Sequence, residues 1–112
     1  MYFFNGVEYQ GVSPRVICGH ILENEEKKYK SGGDGILHAG IDFFFISEFV
    51  IKNQTMSFTT TCNHGAIRKY TFIKDSTTEI WSGTWSWRNE SGKVVCFLTK
   101  ASDNFPKLVE QT

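Results

Sequence analysis

Three tryptophans within seven residues, Trp81-Ser82-Gly83-Thr84-Trp85-Ser86-Trp87, are the densest group of ligand-competent side chains in the sequence. In an extended strand, successive side chains point to opposite faces. Trp81, Trp85 and Trp87 then share one face with Gly83, and Ser82, Thr84 and Ser86 share the other. Indole walls stack on planar molecules, a hydroxyl row supplies donors and acceptors, and apolar pockets with a few placed polar groups are the usual small-molecule sites. Gly83 leaves space for a close approach or for a bend in the strand. Thr59, alternating with Ser57 and Thr61, extends the hydroxyl row, and Arg68 adds one cation for a polar or nucleotide-like molecule. Trp81, Trp85, Trp87, Ser82, Thr84, Thr59 and Arg68 are therefore the candidate ligand-binding residues. The same tryptophans turned inward would be the ordinary aromatic core of a β domain.

A second pattern is a repeated Cys-x-His, in Cys18-Gly19-His20 and Cys62-Asn63-His64. Residues two apart on a strand point the same way, so each pair presents a sulfur and a nitrogen together. Neighbouring strands would then offer Cys18, His20, Cys62 and His64 as a tetrahedral zinc set. The spacing differs from that of zinc fingers and ribbons, and buried inert cysteine is the common alternative. No metal or cofactor is assigned. For acid–base or nucleophilic chemistry the candidates are His20, His38 and His64, with Asp34, Asp42 and Glu48 as partners and Cys18, Cys62 or Cys96 as nucleophiles. Nucleophilic catalysis requires a base beside the nucleophile and a third group orienting it. No spacing here asserts such a triad. His38 and Asp42, taken as one strand face, would stand about 13 Å apart. The expectation leans away from an enzyme.

The elements that must position these residues are strands. Ten Phe, four Tyr and three Trp, with runs of Thr, Val and Ile, suit a pleated, half-buried surface. Tyr2-Phe3-Phe4, Asn5-Gly6 and Val7-Glu8-Tyr9 carry the strongest local hairpin signal, with Asn-Gly as a type I′ turn. Pro14 closes a loop before a strand over 15–23. Residues 24–35 are polar and glycine-rich and predict a long hairpin loop, or a lid or anion nest, around Ser31-Gly32-Gly33-Asp34-Gly35. One alternating strand follows over 36–46, with Leu37, Ala39, Ile41, Phe43 and Phe45 on one face. Further strands are expected over 48–52, 55–63, 66–74, 79–88 and 93–101, separated by turns. This spacing predicts a single all-β domain over 1–112: a small antiparallel β-barrel of about eight short strands, or else a β-sandwich.

Thr77-Thr78-Glu79-Ile80-Trp81-Ser82-Gly83-Thr84-Trp85, followed by Asn89 to Gly92 and Val95-Cys96-Phe97-Leu98-Thr99, resembles the late hairpin of avidin-like barrels. The resemblance covers residues 77–99 and implies a closed, lipocalin-like barrel with a ligand cavity. Trp81 matches an aromatic of that family's biotin pocket. The hydroxyls two and four residues before that aromatic fall on Glu79 and Thr77, and the second pocket tryptophan falls on Cys96. Biotin binding is therefore not implied.

Lys plus Arg and Asp plus Glu number 12 each, so the overall field is weak, which argues against a nucleic-acid partner. No run approaches the roughly 18 apolar residues of a membrane span, and the first residues lack the pattern of a signal peptide. With three cysteines, an odd number, the expectation is a reduced, cytoplasmic protein. The function expected is non-enzymatic binding of a small, partly aromatic or polar molecule in a barrel cavity. The alternative is a protein-interaction or inhibitor module, or a homo-oligomer, acting through an exposed aromatic β surface. A small hydrolase-like enzyme is the third reading.

Overall fold

Aromatic and β-branched residues fill eight strands. The computed structural model, which describes residues 1–22, 34–62 and 65–101, closes them into one barrel. In chain order they are β1 (Tyr2–Gln10), β2 (Ser13–Ile21), β3 (Gly35–Ala39), β4 (Asp42–Lys52), β5 (Thr55–Thr61), β6 (Ile67–Lys74), β7 (Trp81–Trp87) and β8 (Glu90–Lys100). Each strand pairs antiparallel with the next, and β1 pairs antiparallel with β8, so the sheet closes on itself and no sandwich forms. Met1 and Ala101 lock the seam, each donating its nitrogen to the other's carbonyl at 3.1 and 2.8 Å. The described residues contain no helix long and apolar enough to cross a membrane.

An eight-stranded barrel is just wide enough for side chains to fill its interior. Phe4, Ile17, Leu37, Ile46, Phe58, Tyr70, Phe72, Trp81, Trp85 and Val94 are all buried there. Phe58 sits at the centre of the ring packing, 5.0 Å from Tyr70, 5.7 Å from Phe72 and 6.1 Å from Phe4, centroid to centroid. Rings thus occupy the space in which a lipocalin-like cavity was expected.

Two elements depart from the sequence reading. Asn5-Gly6 is not a turn: β1 runs straight through it, and the chain reverses at Gly11-Val12, where Gly11 takes a φ of 61°. Gly6 is required for another reason. It lies opposite Cys96, and a side chain on it would overlap the Val95 carbonyl and Cys96 of β8. The stretch 36–46 is not one strand, because Gly40-Ile41 turns β3 into β4 with Ala39 facing Asp42. After that turn Phe44 and Ile46 point inward, while Phe43 and Phe45 point outward with exposures of 49% and 36%. The expected strand over 48–52 is the second half of β4, beyond a bulge between Ser47 and Val50 in which Glu48 adopts a φ of 54°. The last turn falls at Arg88-Asn89, so β8 begins at Glu90. Of the expected 24–35 loop, residues 24–33 lie outside the described residues, as do Asn63 and His64.

The outer wall has two characters. On β5, β6 and β7 it carries hydroxyls: Thr55, Ser57, Thr59, Thr61, Thr71, Ser82, Thr84 and Ser86. From β8 across β1, β2 and β3 to the start of β4 it is aromatic and aliphatic. Register places Val95 beside Val7 and Val16, Phe97 beside Asn5 and Cys18, and Ile36 between His20 and Phe45.

Candidate functional site

At the end of the barrel bearing the Gly11-Val12 and Arg88-Asn89 turns, a carboxylate is held inside the wall. Glu8 follows Phe4 and Gly6 on the inward face of β1, and its side chain is only 4% exposed. A buried charge is costly unless it is paired and hydrogen-bonded. Glu8 satisfies this requirement with three donors. Arg15, its direct partner on β2, donates Nη2 to Oε2 at 2.7 Å. Arg68, from β6 on the far side of the barrel, donates Nη1 to the same oxygen at 3.1 Å. Tyr70, also on β6, donates its hydroxyl to Oε1 at 2.7 Å. Burial, and then the neighbouring Glu8 charge, push the Tyr70 hydroxyl well above its ordinary pKa. The phenol therefore stays protonated as a donor.

Arg68 is fixed on its other side by aromatic faces. Its guanidinium carbon lies 4.6 Å from the Trp85 ring centre and 6.0 Å from that of Phe44. Trp85 is itself anchored, donating its indole N–H to the Tyr9 carbonyl at 2.9 Å. An ion pair on one side and a cation–π contact on the other hold the guanidinium in a set orientation. Above it opens a cavity of about 210 Å³ lined by Glu8, Gln10, Ser13, Pro14, Arg15, Arg68 and Trp85. Two arginines and one carboxylate give this lining a net charge of +1.

Of the seven candidate binding residues, the fold brings Arg68 and Trp85 together at this mouth. Trp87, half-buried, is nearby on the same inward face of β7 and stacks with Arg88, 5.1 Å from ring centre to guanidinium carbon. Trp81 is four residues away, about 13 Å along the strand, buried at the opposite end with Cys96 opposite it and the Lys74 ammonium 6.0 Å from its ring. One small molecule cannot touch both Trp81 and Trp85. Ser82 and Thr84 face outward, where with Thr55, Ser57, Thr71 and Ile73 they line a shallow groove of about 400 Å³. Thr59 is also on the outer wall, with its Oγ1 2.9 Å from Ser47 Oγ. Indoles and hydroxyls therefore belong to different sites. The space that Gly83 leaves is taken by the neighbouring strand, since a side chain there would overlap the Thr71 carbonyl.

Glu8, Arg15 and Tyr70 were not among the residues expected from sequence. The readable signal was parity: Glu8 shares a face with Phe4, Arg15 with Ile17 and Ile21, and Arg68 with Tyr70 and Phe72. An acid and two bases on core-facing positions imply mutual pairing.

The paired Cys-x-His does not assemble as expected. Cys18 and His20 lie on β2, Cys62 follows β5, and β3 and β4 stand between them. Among the described residues no group of three His, Cys, Asp or Glu is placed to hold a metal. Cys18 and His20 face outward, and Cys18 stands opposite His38 across the β2–β3 pair. Burial, and secondarily His38, lower the His20 pKa. His38 and Asp42 are not on one strand face, since the Gly40-Ile41 turn lies between them. Asp34 is buried at the opposite end, where Oδ2 accepts the Phe49 N–H at 2.9 Å. Glu48 is exposed in the bulge. Cys96 is inside the core, where burial pushes its thiol up to about 12, a poor nucleophile.

Comparison with protein-family models, with curated proteins and with solved structures finds no match to this chain.

Proposed function

We propose that this chain is a non-enzymatic binding protein that takes a small polar or partly aromatic molecule at the mouth of the barrel rather than in its interior. The observation that carries the reading is the Arg68 guanidinium, fixed between Glu8 at 3.1 Å and the Trp85 ring at 4.6 Å on the wall of an open cavity. A cation held by residues of the fold costs little further ordering when a ligand arrives, and such preorganisation is the general route to affinity. The cavity is smaller than the roughly 300–1,000 Å³ that drug-sized ligands occupy, so the mouth takes a small molecule or one end of a larger one. The test is a fluorescence and thermal-shift screen with small aromatic acids, amides and amidines on the wild-type chain and on Trp85→Phe. Binding that shifts the melting temperature and is weakened by the substitution supports the mouth site. Binding indifferent to Trp85, Arg15 and Arg68 moves the site elsewhere.

One observation favours a second reading, an interaction module. The outward positions from Val95 on β8 to Phe45 on β4 carry Phe3, Val7, Val16, Ile36, Phe43, Phe45, Val95 and Phe97 and no Asp, Glu, Lys or Arg. Contiguous apolar surface of this kind marks contact with another macromolecule. Sedimentation of the wild type against a Phe43→Ser, Phe97→Ser double variant tests it. Concentration-dependent association abolished in the variant supports this face as an interface, and a monomer at all concentrations excludes self-association through it.

A further inference from the structure

We infer that the mouth cavity is a receptor for a carboxylate or other singly charged oxyanion, and that Glu8 is a built-in competitor that sets its affinity. The inference rests on the mouth-site reading above. Arg15 and Arg68 each offer five N–H donors; one of each goes to Glu8 Oε2, and Arg68 also lies against the Tyr70 hydroxyl. Among the described residues, the remaining donors leave both guanidiniums with unused capacity on the cavity wall, with Ser13 and Gln10 at the rim. Planar forks of this kind match the two oxygens of a carboxylate, and charge-assisted bonds to it are about twice as strong as neutral ones.

The lining charge of +1 gives the direction. With Glu8 in place, one of the two arginine charges is already neutralised, so an arriving monoanion completes the balance. A cation would add to the excess. Glu8 is held by Tyr70 on its other oxygen and is too buried to leave. It therefore acts as a fixed charge that spaces and orients the two arginines while weakening their pull on a second anion. Glu8 is a positioning residue: both of its oxygens are already engaged by Arg15, Arg68 and Tyr70. The aromatic wall beside Arg68 further selects an anion carrying a flat group over a bare one.

The test uses three probes of one shape: benzoate, benzamide and benzamidinium, titrated calorimetrically into the full chain at low and high salt. Benzoate binding that weakens with added salt, with the neutral and cationic analogues weaker by about tenfold or more, is the expected result. Arg15→Gln, at a partly exposed position, should lose most of the benzoate affinity and Ser82→Ala on the outer wall none. Glu8→Gln should bind benzoate several-fold tighter than wild type. Should Glu8→Gln not fold, a parallel Arg68→Lys variant, which keeps the charge but loses the fork, should weaken benzoate while leaving the salt dependence in place. Benzamidinium binding in preference to benzoate overturns the anion inference and leaves the mouth as a ligand site. Failure of all three probes overturns both. Benzoate affinity unchanged in Glu8→Gln overturns the competitor role, and affinity unchanged in Arg68→Lys overturns the claim that the Arg68 fork receives the anion.

Discussion

Tyr70 and Glu8 are 62 positions apart in the chain and belong to strands on opposite sides of the barrel, yet hydroxyl and carboxylate meet inside it at 2.7 Å. Together with Arg68, this contact ties β6 to β1 across the barrel, where the sheet makes no backbone pairing between them. Tyr70→Phe removes the only neutral donor to that carboxylate among the described residues and leaves Oε1 buried. The expected cost is about 1–3 kcal/mol, read as a lower urea midpoint with an unchanged slope. A variant as stable as wild type would show that Oε1 finds another donor.

Alkaline pH should unfold the protein earlier than its composition suggests. Cys96 is raised from 9.0 to about 12 by burial, and Tyr70 is raised from 10.0 by burial and by Glu8. Both groups must stay protonated in the fold. The unfolded chain ionises first, so their contribution is complete below pH 9.0 and falls as pH rises through the window above it. Cys96→Val should flatten the first part of that decline in a series of denaturant titrations. An unchanged alkaline slope in this variant would remove Cys96 from the account. On the acid side His20, whose pKa is lowered chiefly by burial, acts in the opposite direction, and stability is lost as pH falls below 6.5.

Thr60 is 1% exposed, and its buried hydroxyl has no hydrogen-bond partner among the described residues. Thr60 faces inward between Ile46 and Arg68 in the register. A methyl group of the same size removes the desolvation cost without leaving a void, so Thr60→Val should raise stability by up to about 1 kcal/mol. A loss of stability on calorimetric melting would mean that the hydroxyl is satisfied in solution.

Gly83→Ala should cost about 1–3 kcal/mol, because the added carbon meets backbone of β6 that cannot turn aside. Ser82→Ala, one residue away and exposed, should change stability by no more than about 0.5 kcal/mol. Thermal melts of the pair separate a packing requirement at Gly83 from a general sensitivity of β7.

The alternation in Trp81 to Trp87 was readable because a period of two survives in any half-buried strand, and the barrel follows from repeating it. Parity failed at Phe43-Phe44-Phe45-Ile46, where four apolar residues in a row carry no signal of which pair faces inward. It also failed at Asn5-Gly6, a dipeptide that reads locally as a turn. What demands glycine there is the approach of β8, some 90 positions later in the chain. The same distance problem hid the site. Glu8 and Arg15 face one another across the first hairpin only once its turn is placed at Gly11-Val12, and Arg68 reaches them only in a closed barrel. Trp85 and Arg68 were each visible as useful residue types, but their stacking depends on the β6–β7 register, and the separation of indoles from hydroxyls depends on which face of β7 is inward.

Closure through β1 and β8 also sets the order in which this protein can be made. Of the eight strands β1 leaves the ribosome first, but its second neighbour is the last strand of the barrel, so its free edge waits through the synthesis of the other seven. Strand edges left open in a nascent polypeptide invite pairing with other chains. Yield during expression should therefore depend on translation speed and chaperone supply more than on the stability of the finished barrel.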